Sequence, residues 1–287
     1  MKIKQNLHIH SHHSCDSGCA KLRDIQLDHE ALGIEHFAVT DHLHTQYNIS
    51  DIESCRHAFL GCNFPSNFHF GIEVSLVACW ERDRVAAGDF IAKGDVPIYG
   101  FRDDTRPFDG NMCVDLYEED IRKYGLEFVV GGIHWPLGYP DTRSGVIDNY
   151  FQQEMFLAAH PLVNVIAHPW DSISLAAGDW FLHRDKKADW TIYNEIPQEM
   201  NDALGRAILE NGKLAEINLP CVLKVPDYVT RFYMQCFSNW RDSGVKFTIG
   251  SDQHSAHPDA ELFSKMEVLL DEYGFTGNDF ALPFEVK

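Results

Sequence analysis

Short apolar runs of four to six residues recur along the chain, and each one ends on a histidine or an acidic residue. Residues 36–40 run into Asp41 and His42, and residues 68–72 run into Glu73. Residues 128–133 run into His134, and residues 163–167 into His168. Residues 246–251 deliver Asp252, Gln253 and His254. The chain opens the same way: Ile3, Leu7 and Ile9 interleave with His8 and His10, and a polar stretch through His12, His13 and Asp16 follows. In a strand, residues two apart share a side, so His8 and His10 can meet one ligand together. Residues 214–218 form the remaining strand and end on Asn218.

Between these runs the apolar spacing changes to that of helices. Leu22, Ile25, Leu27 and Leu32 predict a helix over 21–32 with Gly33 as its stop. A second helix is expected over 50–60, capped by Ser50 or Asp51, and a third over 115–124, stopped by Gly125. Further helices are expected over 146–159, 198–211, 229–243 and 259–273. Residues 74–111 carry Gly88, Gly94, Pro97, Gly100, Pro107 and Gly110 among short aromatic runs, which predicts an insertion of hairpin character over a pocket. The stretches 135–145 and 170–190 are long, aromatic and polar, and belong where loops select a substrate. Strands alternating with helices, with chemistry at each strand's end, predict an α/β barrel whose site lies at the C-terminal ends of the strands.

The residues at those ends carry a resemblance. His8-x-His10 with Asp16, Thr40-Asp41-His42, Gly71-Ile72-Glu73, Gly132-Ile133-His134, Ala167-His168-Pro169 and Gly250-Ser251-Asp252-Gln253-His254 resemble, in order, the motifs of the PHP family of polymerase and histidinol phosphatase phosphoesterases. The resemblance runs from Leu7 to His257. It implies a distorted seven-stranded (β/α) barrel with a trinuclear metal site. By the resemblance, His8, His10, Glu73 and Asp252 hold one divalent ion, Glu73 shares a second with His134 and His168, and Asp16, His42 and His254 hold a third. Many members have histidine at the position of Asp16. Glu73, Asp252 and His254 are accordingly the expected catalytic residues. Imidazole and carboxylate suit zinc, manganese or iron alike. The implied activity is hydrolysis of a phosphate ester, with Arg143, Arg184 and Lys224 as candidates to hold the anion.

Composition narrows the readings. The chain has 287 residues, 45% of them hydrophobic, and no low-complexity linker or repeat, which fits a single domain over 1–287. It shows no signal-peptide pattern and no membrane span, so the expected compartment is the cytoplasm. Eight cysteines without a Cys-x-x-Cys pair are not a disulfide framework. The net charge of -19 opposes binding a long nucleic acid, which requires clustered Lys and Arg. A small phosphorylated substrate is less affected, because bound cations reverse the local field.

Three functions remain open on the sequence. The first is a phosphatase acting on a small phosphomonoester. The second is a nuclease or nucleotide phosphodiesterase on short oligonucleotides, with Trp135, Trp170 and Trp180 available to stack a base. The third is a non-catalytic, metal-stabilised interaction domain. Asp41 is expected to fix an imidazole tautomer. His12, His13, His44 and His257 border the motifs without matching them, whereas His29, His36, His57, His69, His160 and His183 read as packing or surface residues.

Overall fold

The computed structural model describes residues 1–16, 18–88, 110–138, 140, 142–178 and 188–285. Arg184 and Trp180, and residues 89–109 of the expected insertion, lie outside that set. The strands form a mixed α/β fold in which nearly every pairing is parallel. β1 (Gln5–Asn6) pairs with β2 (His36–Val39), and β2 pairs with β4 (Phe68–Phe70). A larger sheet runs β10-β9-β8-β7-β5-β3, from Lys246–Gly250 through Leu214–Asn218, Val165–Ile166, Val129–Gly132 and Ile72–Ala78 to His42–Leu43. The seventh strand of that sheet, β6 (Met112–Val114), is antiparallel to β5. This antiparallel pair brackets the expected insertion, within which β5 runs directly into a helix, Cys79–Ala86.

β2 and β3 lie end to end, as do β4 and β5, so each pair acts as one broken strand. The lower piece pairs toward β1 and the upper piece toward β7. Beyond β1, the chain turns to β10 for partners: Leu7 N–H donates to the Ile249 carbonyl at 2.8 Å, and His10 N–H donates to the Gln253 carbonyl at 3.0 Å.

Strand alternation divides the core. Phe37, Val39, Val129 and Ile166 face the helices and belong to the large hydrophobic cluster. Ala38, Val130, Val165 and Ala167 face the other way and pack with Leu7, Phe128 and Leu214, under which Ala281, Leu282 and Phe284 of the C-terminal segment lie. Above this inner layer the same faces carry polar groups. The small inner residues thus form the floor on which the strand-end side chains stand.

Helices cover the outside where the periodicity places them. The first spans Leu22–Leu32 and ends at Gly33 with φ 74, a conformation glycine takes without penalty. Others begin where local capping dictates. The helix Arg143–Ala159 starts three residues before its apolar pattern, because the Thr142 hydroxyl accepts from Gly145 N–H. No helix of the described residues is long and apolar enough to cross a membrane.

Candidate metal centre

The upper end of the strands gathers six imidazoles and three carboxylates into one cluster, buried on its inner side and partly open at Asp16, His134, Asp252 and His254. His8, His10, Asp16, His42, Glu73, His134, His168, Asp252 and His254 all belong to overlapping donor groups whose ligand atoms lie within 4.8 Å of one another. Glu73 stands at the centre and is fully buried. Its two oxygens face different imidazoles. Oε1 lies 2.9 Å from His168 Nε2 and 3.2 Å from His134 Nε2. Oε2 lies 3.1 Å from His8 Nε2, 3.4 Å from His10 Nε2 and 2.8 Å from His42 Nδ1.

Asp252 Oδ1 approaches His10 Nε2 at 3.0 Å and His8 Nε2 at 3.6 Å. On the far side, Asp16 Oδ2 lies 2.9 Å from His42 Nε2 and contacts His254 Nε2. His10 also joins this last group, so the sets overlap more than three separate sites require.

The donors converge as they do around cations. His8 Nε2 and His10 Nε2 are 3.1 Å apart, and only one of two facing imidazole nitrogens can donate a hydrogen to the other. Glu73 Oε2 is buried without a hydrogen-bond partner. His42 Nδ1 is near that oxygen but not aligned to bond it. Neutral nitrogen and anionic oxygen donors in this number fit divalent ions such as zinc.

The backbone is built around these groups. A Cβ on Gly132 would stand 2.4 Å from Glu73 Oε1 and 2.8 Å from the His168 ring. His168, Trp170, Ser172 and Asp252 adopt positive φ without being glycine, a cost that is retained where surrounding contacts over-determine the conformation.

Charge explains the titration of the cluster. Burial alone would drive protons off the imidazoles, but Glu216, Glu73 and Asp252 hold His8 well above its ordinary value. Against the same burial, Glu73 and Asp16 raise His42 to about 10, and Glu73 raises His168 to about 9. For His134 burial prevails, and its pKa falls to about 4. Glu73, despite complete burial, is held well below the usual carboxylate range by His8, His42 and His134. The carboxylates therefore keep protons on several imidazoles that cations would displace.

The supporting groups differ from those expected. Asp41 does not orient an imidazole: Oδ1 accepts from Ser11 N–H at 2.6 Å and Oδ2 from the Ser11 hydroxyl at 2.7 Å, which fixes the loop after β1. Two residues outside the strand-end motifs touch the imidazoles instead. Ser75 Oγ lies 2.7 Å from His134 Nδ1 and 2.6 Å from His44 Nδ1. Glu216 lies 2.7 Å from His8 Nδ1. Both sit inside strands rather than at their ends, and the available signal was a polar residue within an otherwise apolar run.

Of the candidate anion holders, Arg143 and Lys224 make other contacts, and Arg184 lies outside the described residues. Arg143 contacts Asp189 and donates to Glu195 at 3.0 Å and to Thr191 Oγ1 at 3.0 Å, pinning the turn Trp190–Asn194. Lys224 is exposed and lies 3.8 Å from Asp259. Two of the three candidate stacking tryptophans are buried: Trp170 donates from Nε1 to Asn201 Oδ1 at 2.9 Å, and Trp135 packs on the rings of His44 and His134. They are not open faces for a base.

The strands and the cluster define an α/β chain with a histidine- and carboxylate-rich centre at its strand ends. No protein-family model matches the sequence, and no curated protein matches it. Solved structures do resemble it. The crystal structure of histidinol phosphate phosphatase from Lactococcus lactis subsp. lactis Il1403, complexed with zinc, L-histidinol and phosphate, superposes with a TM-score of 0.58 at 17% identity. The match covers 96% of this chain and 95% of that one. A Listeria monocytogenes protein assigned as a histidinol phosphatase superposes with a TM-score of 0.55 at 12% identity, over 88% of this chain and 96% of that one. At these identities the likeness is one of fold.

Proposed function

We propose that the chain is a metal-dependent phosphoesterase acting on a phosphomonoester of a small metabolite. The observation that carries this reading is the division of Glu73, whose two oxygens address two different sets of imidazoles. A carboxylate so placed would serve two cations at once, one at each oxygen. In this reading His8, His10, Glu73 and Asp252 hold one ion, Glu73, His134 and His168 a second, and Asp16, His42 and His254 a third. When bound, such ions supply Lewis acidity and bring the pKa of the attacking water toward neutrality. The chain itself holds the donors at fixed separations, keeps bulk water from the inner face of the cluster, and leaves Asp16, Asp252, His134 and His254 partly open as the face a substrate meets.

The same reading takes the strands as a closed barrel of seven, because β1 is joined to β2 on one side and its continuation bonds β10 on the other. The likeness to a structure holding zinc, L-histidinol and phosphate supports phosphate-ester chemistry. The net charge of -19 and the buried tryptophans disfavour the oligonucleotide alternative.

A screen of the metal-reconstituted protein against phosphomonoesters, phosphodiesters and short nucleic acids tests the proposal. Turnover should be highest on a monoester and should fall only shallowly with salt. Glu73→Gln keeps the side chain's size but removes the bridging charge, and turnover should then drop by orders of magnitude in a folded protein. Processive cleavage of single-stranded DNA above any monoester rate would instead establish a nuclease. Near wild-type turnover in Glu73→Gln would remove the bridging role.

A further inference from the structure

We infer that Glu216 is a positioning residue that fixes two ligand-bearing residues at once, the ring of His8 and the backbone of His168, and thereby sets the affinity for two of the cations together. The inference rests on the metal-dependent reading above. Glu216 lies in the middle of β9, between β8 and β10, and is 1% exposed. A carboxylate at such depth is costly unless donors converge on it. Three do. Oε1 meets His8 Nδ1 at 2.7 Å. Oε2 accepts from His168 N–H at 2.9 Å and from Asn218 Nδ2 at 3.2 Å.

Each contact has a consequence for a ligand. When His8 donates its Nδ1 hydrogen to Glu216, the lone pair remains on Nε2, the nitrogen that faces Glu73 and Asp252. His168 stands at φ 28, and the bond from its amide to Glu216 helps retain that conformation. Its ring thereby stays 2.9 Å from Glu73 Oε1. The neighbouring strand is shaped for this arrangement: a Cβ on Gly250 would lie 1.8 Å from Glu216 Oε1 and 2.7 Å from His8 Cβ. Glycine at 250 leaves the room in which carboxylate and imidazole meet. In the grouping proposed above, His8 and His168 would serve the two ions that share Glu73, while Asp16, His42 and His254 receive no contact from Glu216. The effect of losing Glu216 is therefore selective.

Glu216→Gln tests the inference, because an amide cannot accept at both ends and must present N–H toward either His8 or His168. Ions would be counted by native mass spectrometry, and zinc affinity measured by competition with a chromophoric chelator. Two ions should weaken together, each by about 10- to 100-fold, and the third should stay at wild-type affinity. Glu216→Asp keeps the charge but is one methylene too short to serve both partners, so its affinities should fall between those of wild type and Glu216→Gln. Circular dichroism of the metal-free variants checks the fold. If Glu216→Gln does not fold, Glu216→Asp alone decides. Wild-type affinity for all ions in whichever variant decides would overturn the inference and leave the proposed function standing. Equal weakening of all three ions would also overturn it, since the effect would then be general. A wild-type protein that binds fewer than two ions would overturn the proposed function and the inference with it.

Discussion

Glu154 shows how much a single residue's surroundings determine. It is buried on the helix Arg143–Ala159, and its Oε1 accepts from Trp170 N–H at 2.9 Å. Burial raises its pKa from 4.5 to about 7. An acid raised in the fold is favoured there in its protonated form, so it costs nothing below pH 4.5. Stability is then lost as pH rises to about 7, by roughly 3 kcal/mol in all. Glu154→Gln removes that cost and keeps an oxygen for Trp170. Its melting temperature should match wild type near pH 4.5 and exceed it at pH 8, as read by thermal melts at both values. Parallel melting across that range would contradict the assignment. Residues of this kind were hardest to find from sequence, since a lone Glu inside a helix looks like a surface charge until the opposing loop is known. His134 and His168 were legible because each closes an apolar run. Glu216 and Ser75 were not, because neither closes one.

At the scale of elements, strand and helix identity followed from periodicity, whereas boundaries followed from contacts that periodicity does not contain. The helix Glu118–Tyr124 was expected from 115, but Asp115 is engaged: it accepts from Gln46 N–H at 2.7 Å and holds the Tyr117 hydroxyl at 3.0 Å. Nor does the second helix begin at Ser50 or Asp51. It spans Ile49–Gly61 and continues from a turn at Gln46–Asn48 capped by Thr45. The end of β7 carries a sharper dependence. Gly132→Ala would push a methyl group against the Glu73 carboxylate and the His168 ring, which can yield only by leaving their donor positions, so the cost to the fold should be about 1–3 kcal/mol. The cost to the donor geometry is larger, because both are members of the cluster. Metal content and kcat/KM should fall far more than the melting temperature, and elemental analysis beside a thermal melt would show the split. A variant with full metal content and wild-type rate would mean the close approach is not required.

For the whole molecule, nine donors gathered from six strands and their following loops predict more than one bound ion, against the ~4 ligands a single tetrahedral site uses. Each site saturated to about a hundred times its Kd adds about 2.7 kcal/mol. Chelation should therefore lower the melting temperature by several degrees per site, and elemental analysis should find more than one equivalent before it. The stripped protein should also respond to alkali. His42 and His168 are raised above 6.5 in the fold, so their contribution is present below pH 6.5 and is lost as pH rises toward about 10. The melting temperatures of stripped and loaded protein should diverge over that window. A chelated protein that melts like the untreated one at every pH would exclude structural cations.

The contact between Asp16 and His254 joins positions 238 residues apart, and His8 meets Asp252 over a similar span. Pairings so distant in the chain are slow to find during folding. A ribosome making this polypeptide delivers His8, His10 and Asp16 well before Asp252 and His254, which come only after β10 has been synthesised. Until then the cluster lacks Asp252 and His254, so any cation captured by the nascent chain is held by a partial set. A full donor set is therefore assembled only once β10 and the residues after it are in place, and the free-metal pool at that moment would determine which ion enters.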